Sequence, residues 1–138
     1  MRTHNLFVSH SWNYSDQYDR LVRLLLKERH HFSFKNYSVP KNDPIHNAGS
    51  DTVLRTAIKN KMTPCGAVLI LAGMYASYSK WIDIEIDLAR NGFGLPKPII
   101  AIEPWGSQRT SAAVKNAADR IVGWRADSVV RAIRELAT

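Results

Sequence analysis

Ala67-Val68-Leu69-Ile70-Leu71-Ala72 is apolar at every position, with Pro64 and Gly66 punctuating the chain just before it. A strand that is wet on one face alternates apolar and polar residues, whereas a run without alternation has both faces covered. Such strands sit at the centre of parallel sheets with helices packed on either side. This run sets the fold, and the chain around it is expected to alternate strand and helix.

Asp51–Lys59, just upstream, carries Val53, Leu54, Ala57 and Ile58 at helical spacing. Downstream, Ser79–Arg90 starts on a good N-cap and stops at Asn91-Gly92. Lys97-Pro98-Ile99-Ile100-Ala101-Ile102 is the next apolar strand. Towards the N-terminus, Leu6-Phe7-Val8 reads as a buried strand opening into the polar Ser9-His10-Ser11-Trp12. A helix then begins at Ser15-Asp16 and is closed by His30-His31. Phe32–Val39 alternates partly at period two and reads as a strand, and Pro40 to Gly49 is a polar loop too long to be a mere turn. Towards the C-terminus, Ser111–Ala118 reads as a helix, Arg120–Trp124 as a short last strand and Asp127–Ala137 as the closing helix. Five strand–helix pairs predict one α/β domain over residues 1–138, a flavodoxin-like three-layer fold with a five-stranded parallel sheet. Ligands bind outside the carboxyl ends of such strands. Function is therefore sought in the loops Ser9–Tyr14, Ser38–Gly49, Gly73–Ser79 and Glu103–Arg109, and in the helix starts that follow them.

The 138 residues, 45% of them hydrophobic, suffice for one sizeable core. The net charge of +7, from 19 Lys and Arg against 12 Asp and Glu, would attract polyanions. The basic residues are scattered, however, and no zinc-finger or RNA-recognition signature accompanies them, so nucleic acid is not the expected partner. No stretch approaches the roughly 18 continuous apolar residues of a membrane span. Met1-Arg2-Thr3-His4-Asn5 runs straight into a strand-like segment, which argues against a secretory leader. The single cysteine, Cys65, excludes an internal disulfide and fits a reducing cytoplasm; beside an apolar run it reads as a small buried hydrophobe.

Several chemistries lack their residues. There is no GxGxxG and no GxxxxGK[ST]. The strand ends Ser9-His10-Ser11 and Ala72-Gly73-Met74 lack the acidic residues an aspartyl-phosphorylated receiver needs. No carboxylate or cysteine joins the five histidines at ligand spacing, so no metal is expected. Ser9 and His10, adjacent on an extended segment, point to opposite faces and would not readily pair as nucleophile and base. What remains is Glu85 with Trp81, one helical turn apart on one face, expected to look towards the Ser9–Trp12 loop and the Asn36–Pro40 strand end. An aromatic ring beside a carboxylate can wall a pocket for a planar, partly cationic ligand. The plainer reading is a core tryptophan and a solvated helix carboxylate.

Phe7-Val8-Ser9-His10-Ser11 resembles the first box of Toll/interleukin-1 receptor (TIR) domains, and Ser79-Lys80-Trp81-Ile82-Asp83-Ile84-Glu85-Ile86 resembles their S-x-W-x-x-x-E segment. Phe34–Pro40, Pro98-Ile99-Ile100 and Ile121-Val122-Gly123-Trp124 look most like the bacterial and archaeal TIR-like branch, which includes the TIR proteins of the Thoeris anti-phage system. The resemblance implies a TIR-like fold and a cytoplasmic immune-signalling role. It also implies cleavage of NAD as a substrate, with no separate cofactor, to ADP-ribose or a cyclic ADP-ribose-type messenger. By the same resemblance Glu85 is catalytic, and Ser9, His10, Ser11, Trp12, Asn36, Ser38 and Trp81 line the substrate site. Two departures stand out: Asn36 replaces the acidic residue common near the end of the second strand, and Gly49-Ser50-Asp51-Thr52 reorders a G-D-S-L-like start. With no fused sensor in the chain, the expected trigger is another TIR or effector protein, or self-assembly. The alternative is a non-catalytic module that works by homotypic contacts through the Ser38–Gly49 loop and neighbouring helices.

Overall fold

The computed structural model describes residues 2–9, 15–28, 31–37, 51–72, 80–103 and 112–137. In chain order these form β1 (Thr3–Val8), α1 (Ser15–Leu26), β2 (Ser33–Tyr37), α2 (Asp51–Met62), β3 (Ala67–Leu71), α3 (Lys80–Asn91), β4 (Ile99–Ile102), α4 (Ala112–Ala117), β5 (Arg120–Val122) and α5 (Ala126–Leu136). The five strands make one sheet in the order β2-β1-β3-β4-β5, and every neighbouring pair is parallel. The predicted alternation and the all-parallel five-stranded sheet are both present.

Period-two geometry sorts the strand side chains into two layers. Leu6, Val8, Ala67, Leu69, Ile100 and Ile102 pack with Leu21 and Leu25 of α1 and with Val129, Val130, Ala132 and Ile133 of α5. Their neighbours Phe7, Val68, Ile70, Ile99 and Ala101 pack on the other face, with Ile58 and Met62 of α2, Ile82, Ile84, Leu88 and Ala89 of α3, and Val114 of α4. Helices on both faces explain why β3 and β4 are apolar at every position. At about 25 cal/mol per Å² of apolar surface removed from water, these two layers are the main favourable term in folding. The outermost strands are short, with five residues in β2 and three in β5, and Lys35, Asn36 and Ile121 on them are exposed.

Several boundaries differ from the sequence reading, each for a packing reason. β1 begins at Thr3 rather than Leu6, because Thr3, His4 and Asn5 pair with Ser33, Phe34 and Lys35 of β2. His4 is thereby a strand residue, 7% exposed, with its ring 5.5 Å from that of Phe32. α1 ends at Leu26, before His30-His31, and beyond it the Glu28 N–H donates to Leu25 O and the His31 N–H to Glu28 O. α2 continues past Lys59 to Met62, whose side chain is fully buried. β5 stops at Val122, and an Arg125 N–H to Gly123 O bond of 2.9 Å turns the chain into α5. Cys65 is buried as expected, and burial pushes its thiol pKa up to about 12.

Candidate active site

In a sheet of this order, the chain departs from β1 in opposite directions: β2 lies on one side of it and β3 on the other. Helices following β1 and β3 therefore cover opposite faces, and the carboxyl ends of those two strands form the switch point at which sheets of this kind bind ligands. Ser9 sits there. It is the first residue beyond β1, and its N–H bonds to Leu69 O of β3 at 3.0 Å. Leu6 and Val8 point into the α1/α5 layer and Phe7 into the α2/α3 layer, so the alternation aims Ser9 towards α3.

α3 meets it with a carboxylate. Ile82, Ile84, Glu85, Leu88 and Ala89 form the buried stripe of this helix, while Asp83, Arg90 and Asn91 face water. Glu85 thus occupies a core-facing position between isoleucines and a leucine, and it is 0% exposed. The Ser9 Oγ–H donates to Glu85 Oε1 at 2.8 Å, and Ser9 is likewise 0% exposed. Carboxylates are rarely buried, because leaving water costs far more than an ordinary apolar contact returns. The solvated-carboxylate reading of Glu85 is therefore wrong: the helix buries it and a hydroxyl on the neighbouring strand end holds it.

A second tie fixes α3 against α2. The Arg55 guanidinium pairs with Asp87 Oδ2, and Asn91 Nδ2 donates to Asp87 Oδ1 at 2.9 Å. The Arg55 hydrogen bond, helped by that from Asn91, holds the Asp87 carboxyl below its ordinary range. Both Arg55 and Asp87 are more than two-fifths exposed, so this pair sets helix position more than stability.

The structure distributes the sequence-predicted residues unevenly. Ser9 and Glu85 come together. Asn36 does not join them: in the β1–β2 register it stands opposite Leu6, which assigns it to the α1/α5 face of the sheet, and it is exposed. Trp81 lies in the first turn of α3, one turn before Glu85, with its side chain outside the described residues. His10, Ser11, Trp12 and Ser38 lie outside the described residues altogether, as do the four loops in which function was sought, except for Ser9 and Glu103 at their margins. Tyr37, not singled out from sequence, ends β2 on the same face as Glu85 and packs against that layer, half-buried. Its signal was parity, since Tyr37 pairs with Phe7 and not with Leu6. Among the described residues, no three His, Cys, Asp or Glu side chains gather to hold a metal, and no helix is long and apolar enough to cross a membrane.

A family model described as the TIR-like domain of the Thoeris protein ThsB matches residues 7–109, a span that contains both Ser9 and Glu85. No curated protein matches the chain.

Proposed function

The chain belongs to the TIR-like domain family of the Thoeris protein ThsB, and on that premise we propose that it cleaves NAD, with Glu85 as the catalytic carboxylate. Membership of a Thoeris family supports a role in anti-phage defence. The observation that carries the catalytic reading is the buried Ser9–Glu85 pair at the carboxyl end of β1, beside β3. Stability alone does not favour a carboxylate at that position, because an apolar side chain there would be neutral or better.

In the proposed reaction the bond from ribose C1′ to the nicotinamide nitrogen breaks, and its electron pair leaves with the nitrogen as neutral nicotinamide. Positive charge develops on C1′ and the ring oxygen of the ribose, as in glycoside cleavage. A fixed carboxylate beside that ribose stabilises the charge and orients the hydroxyls, and it does so more strongly where water is excluded. Water adding to C1′ with loss of its proton gives ADP-ribose, whereas attack by a nitrogen of the same molecule's adenine closes a cyclic product. Ser9 is assigned to holding Glu85, and His10, Ser11, Trp12, Ser38 and Trp81 to the substrate walls. Activation is assigned to self-association or to a partner TIR or effector protein.

The test is chromatographic. NAD is incubated with concentrated purified protein, wild type beside Glu85→Gln, and nicotinamide and its partner product are quantified. The expected result is nicotinamide release that falls by about 10²–10³ in the variant, the size typical for loss of one preorganised electrostatic group. Equal release from both proteins would remove Glu85 from the mechanism. No release from either, with a defined assembly seen by light scattering, would favour the non-catalytic interaction module.

A further inference from the structure

The opposite edge of the sheet carries a second cluster. Arg2, His4, His31, Phe32 and Arg134 line a cleft of about 410 Å³ at the amino end of β1, a size in the range of small-ligand sites. Ser9 lies five residue steps along the chain from His4, or roughly 17 Å, so this cleft is distinct from the Glu85 site.

Its electrostatics are unbalanced. The Arg134 guanidinium lies 5.7 Å from the Phe32 ring centre and donates to His31 O, which fixes its position. The carboxylates nearby are occupied elsewhere: Glu28 pairs with His31 at 2.6 Å and Glu135 with Arg120 at 2.6 Å. Among the described residues, neither Arg2 nor Arg134 has a carboxylate partner. Between them His4 is more than nine-tenths buried, and its Nδ1 has no hydrogen-bond partner among the described residues. Buried polar atoms are normally satisfied, and here the His4 ring lines a cleft beside two cations that no carboxylate among the described residues neutralises.

We propose that this cleft is an anion site that takes a phosphate-type dianion, free or as the terminal group of a phosphomonoester, between Arg2, Arg134 and the His4 imidazole. The two guanidiniums supply charge-assisted donors, and His4, as imidazolium, adds a third. Burial, with the charges of Arg2 and Arg134, holds the His4 imidazole pKa below its ordinary value. His31, on the turn before β2, is the other titratable group in the lining, and it is already engaged with Glu28. Binding a dianion reverses the local field, so it is coupled to proton uptake at His4.

The experiment is an NMR titration of the histidine ring signals of the full chain with inorganic phosphate and, separately, ribose 5-phosphate, at constant ionic strength with chloride as control. Saturable shifts of the His4 ring are expected, together with a rise of its apparent pKa on saturation. Affinity should drop about tenfold or more in Arg2→Gln and again in Arg134→Gln. Tighter binding of ribose 5-phosphate than of phosphate would identify a phosphomonoester, and equal binding the free anion; either supports the site. Arg2 is exposed and makes no hydrogen bond or ion pair among the described residues, so Arg2→Gln keeps the test valid even if Arg134→Gln unfolds the chain. The proposal is overturned if the His4 signals do not saturate with either probe, if chloride reproduces the shift, or if Arg2→Gln binds as the wild type does.

Discussion

Ser9→Ala deletes one oxygen, and the structure sets what that should cost. The lost bond is a 2.8 Å hydroxyl-to-carboxylate contact between two side chains that are each 0% exposed. Hydrogen bonds to charged groups contribute about 1.5–3 kcal/mol, and water cannot enter a buried site freely to replace the donor. For a chain of this length that corresponds to about 5–10 °C in melting temperature. In a Glu85→Leu background that bond is already gone, so deleting the hydroxyl should cost less than it does in the wild type by the value of the bond. The two-by-two cycle, measured by urea unfolding and followed by circular dichroism, should therefore return a coupling of about 1.5–3 kcal/mol. Glu85→Leu alone should be neutral or stabilising, since an apolar side chain avoids the cost of burying a charge. A Ser9→Ala cost below about 0.5 kcal/mol in both backgrounds would refute the claim that this hydroxyl holds the carboxylate. A strongly destabilised Glu85→Leu would show instead that the glutamate is kept for structure.

Other consequences are open to direct measurement. With its thiol pushed up to about 12, Cys65 should resist iodoacetamide at pH 8 in the folded protein and react only after denaturation. The same raised value means that its stabilising contribution is intact below the ordinary thiol range and is lost as pH climbs through about 12. His4 has the reverse sign: its pKa is lowered by burial and by Arg2 and Arg134, so stability is full above the ordinary value of 6.5 and falls as pH drops below it. A His4→Phe variant should flatten that acid limb in pH-dependent unfolding. Gly92→Ala places a Cβ 2.7 Å from Leu88 O and 3.0 Å from Leu88 Cδ2, and should cost about 1–3 kcal/mol by thermal melting. Arg55→Ala should cost no more than about 1 kcal/mol in the same assay, because its partner Asp87 is well exposed.

The layers were legible because β3 and β4 are apolar at every position, and only a sheet covered on both faces rewards that. Glu85 was legible as a candidate from its spacing to Trp81, but its burial was not. Helical periodicity alone leaves the core stripe of α3 ambiguous between faces, and the usual preference of carboxylates for water pointed the wrong way. The face that Asn36 belongs to was hidden for a related reason. Its membership of a face depends on which residue of β1 it pairs with, and register is a property of two strands that neither one encodes locally. The extra residues of β1 were hidden in the polar Thr3, His4 and Asn5, whose strand conformation comes from pairing with β2. The anion cleft brings together Arg2 and Arg134, which are distant in the chain and adjacent only once α5 packs over the amino end of β1.

The brevity of the two rim strands bears on how copies of this chain can meet. A neighbour that docked strand against strand would gain only three to five residues of ladder on β5 or β2, and on β2 it would have to strip water from Lys35. Proteins commonly use short, charged rims to block such fibre-like continuation. Any higher-order ensemble is therefore left to the helical flanks and to the loops at the strand tips. α3 is one such flank and also carries Glu85, which on the proposed function would couple the act of assembling to the chemistry.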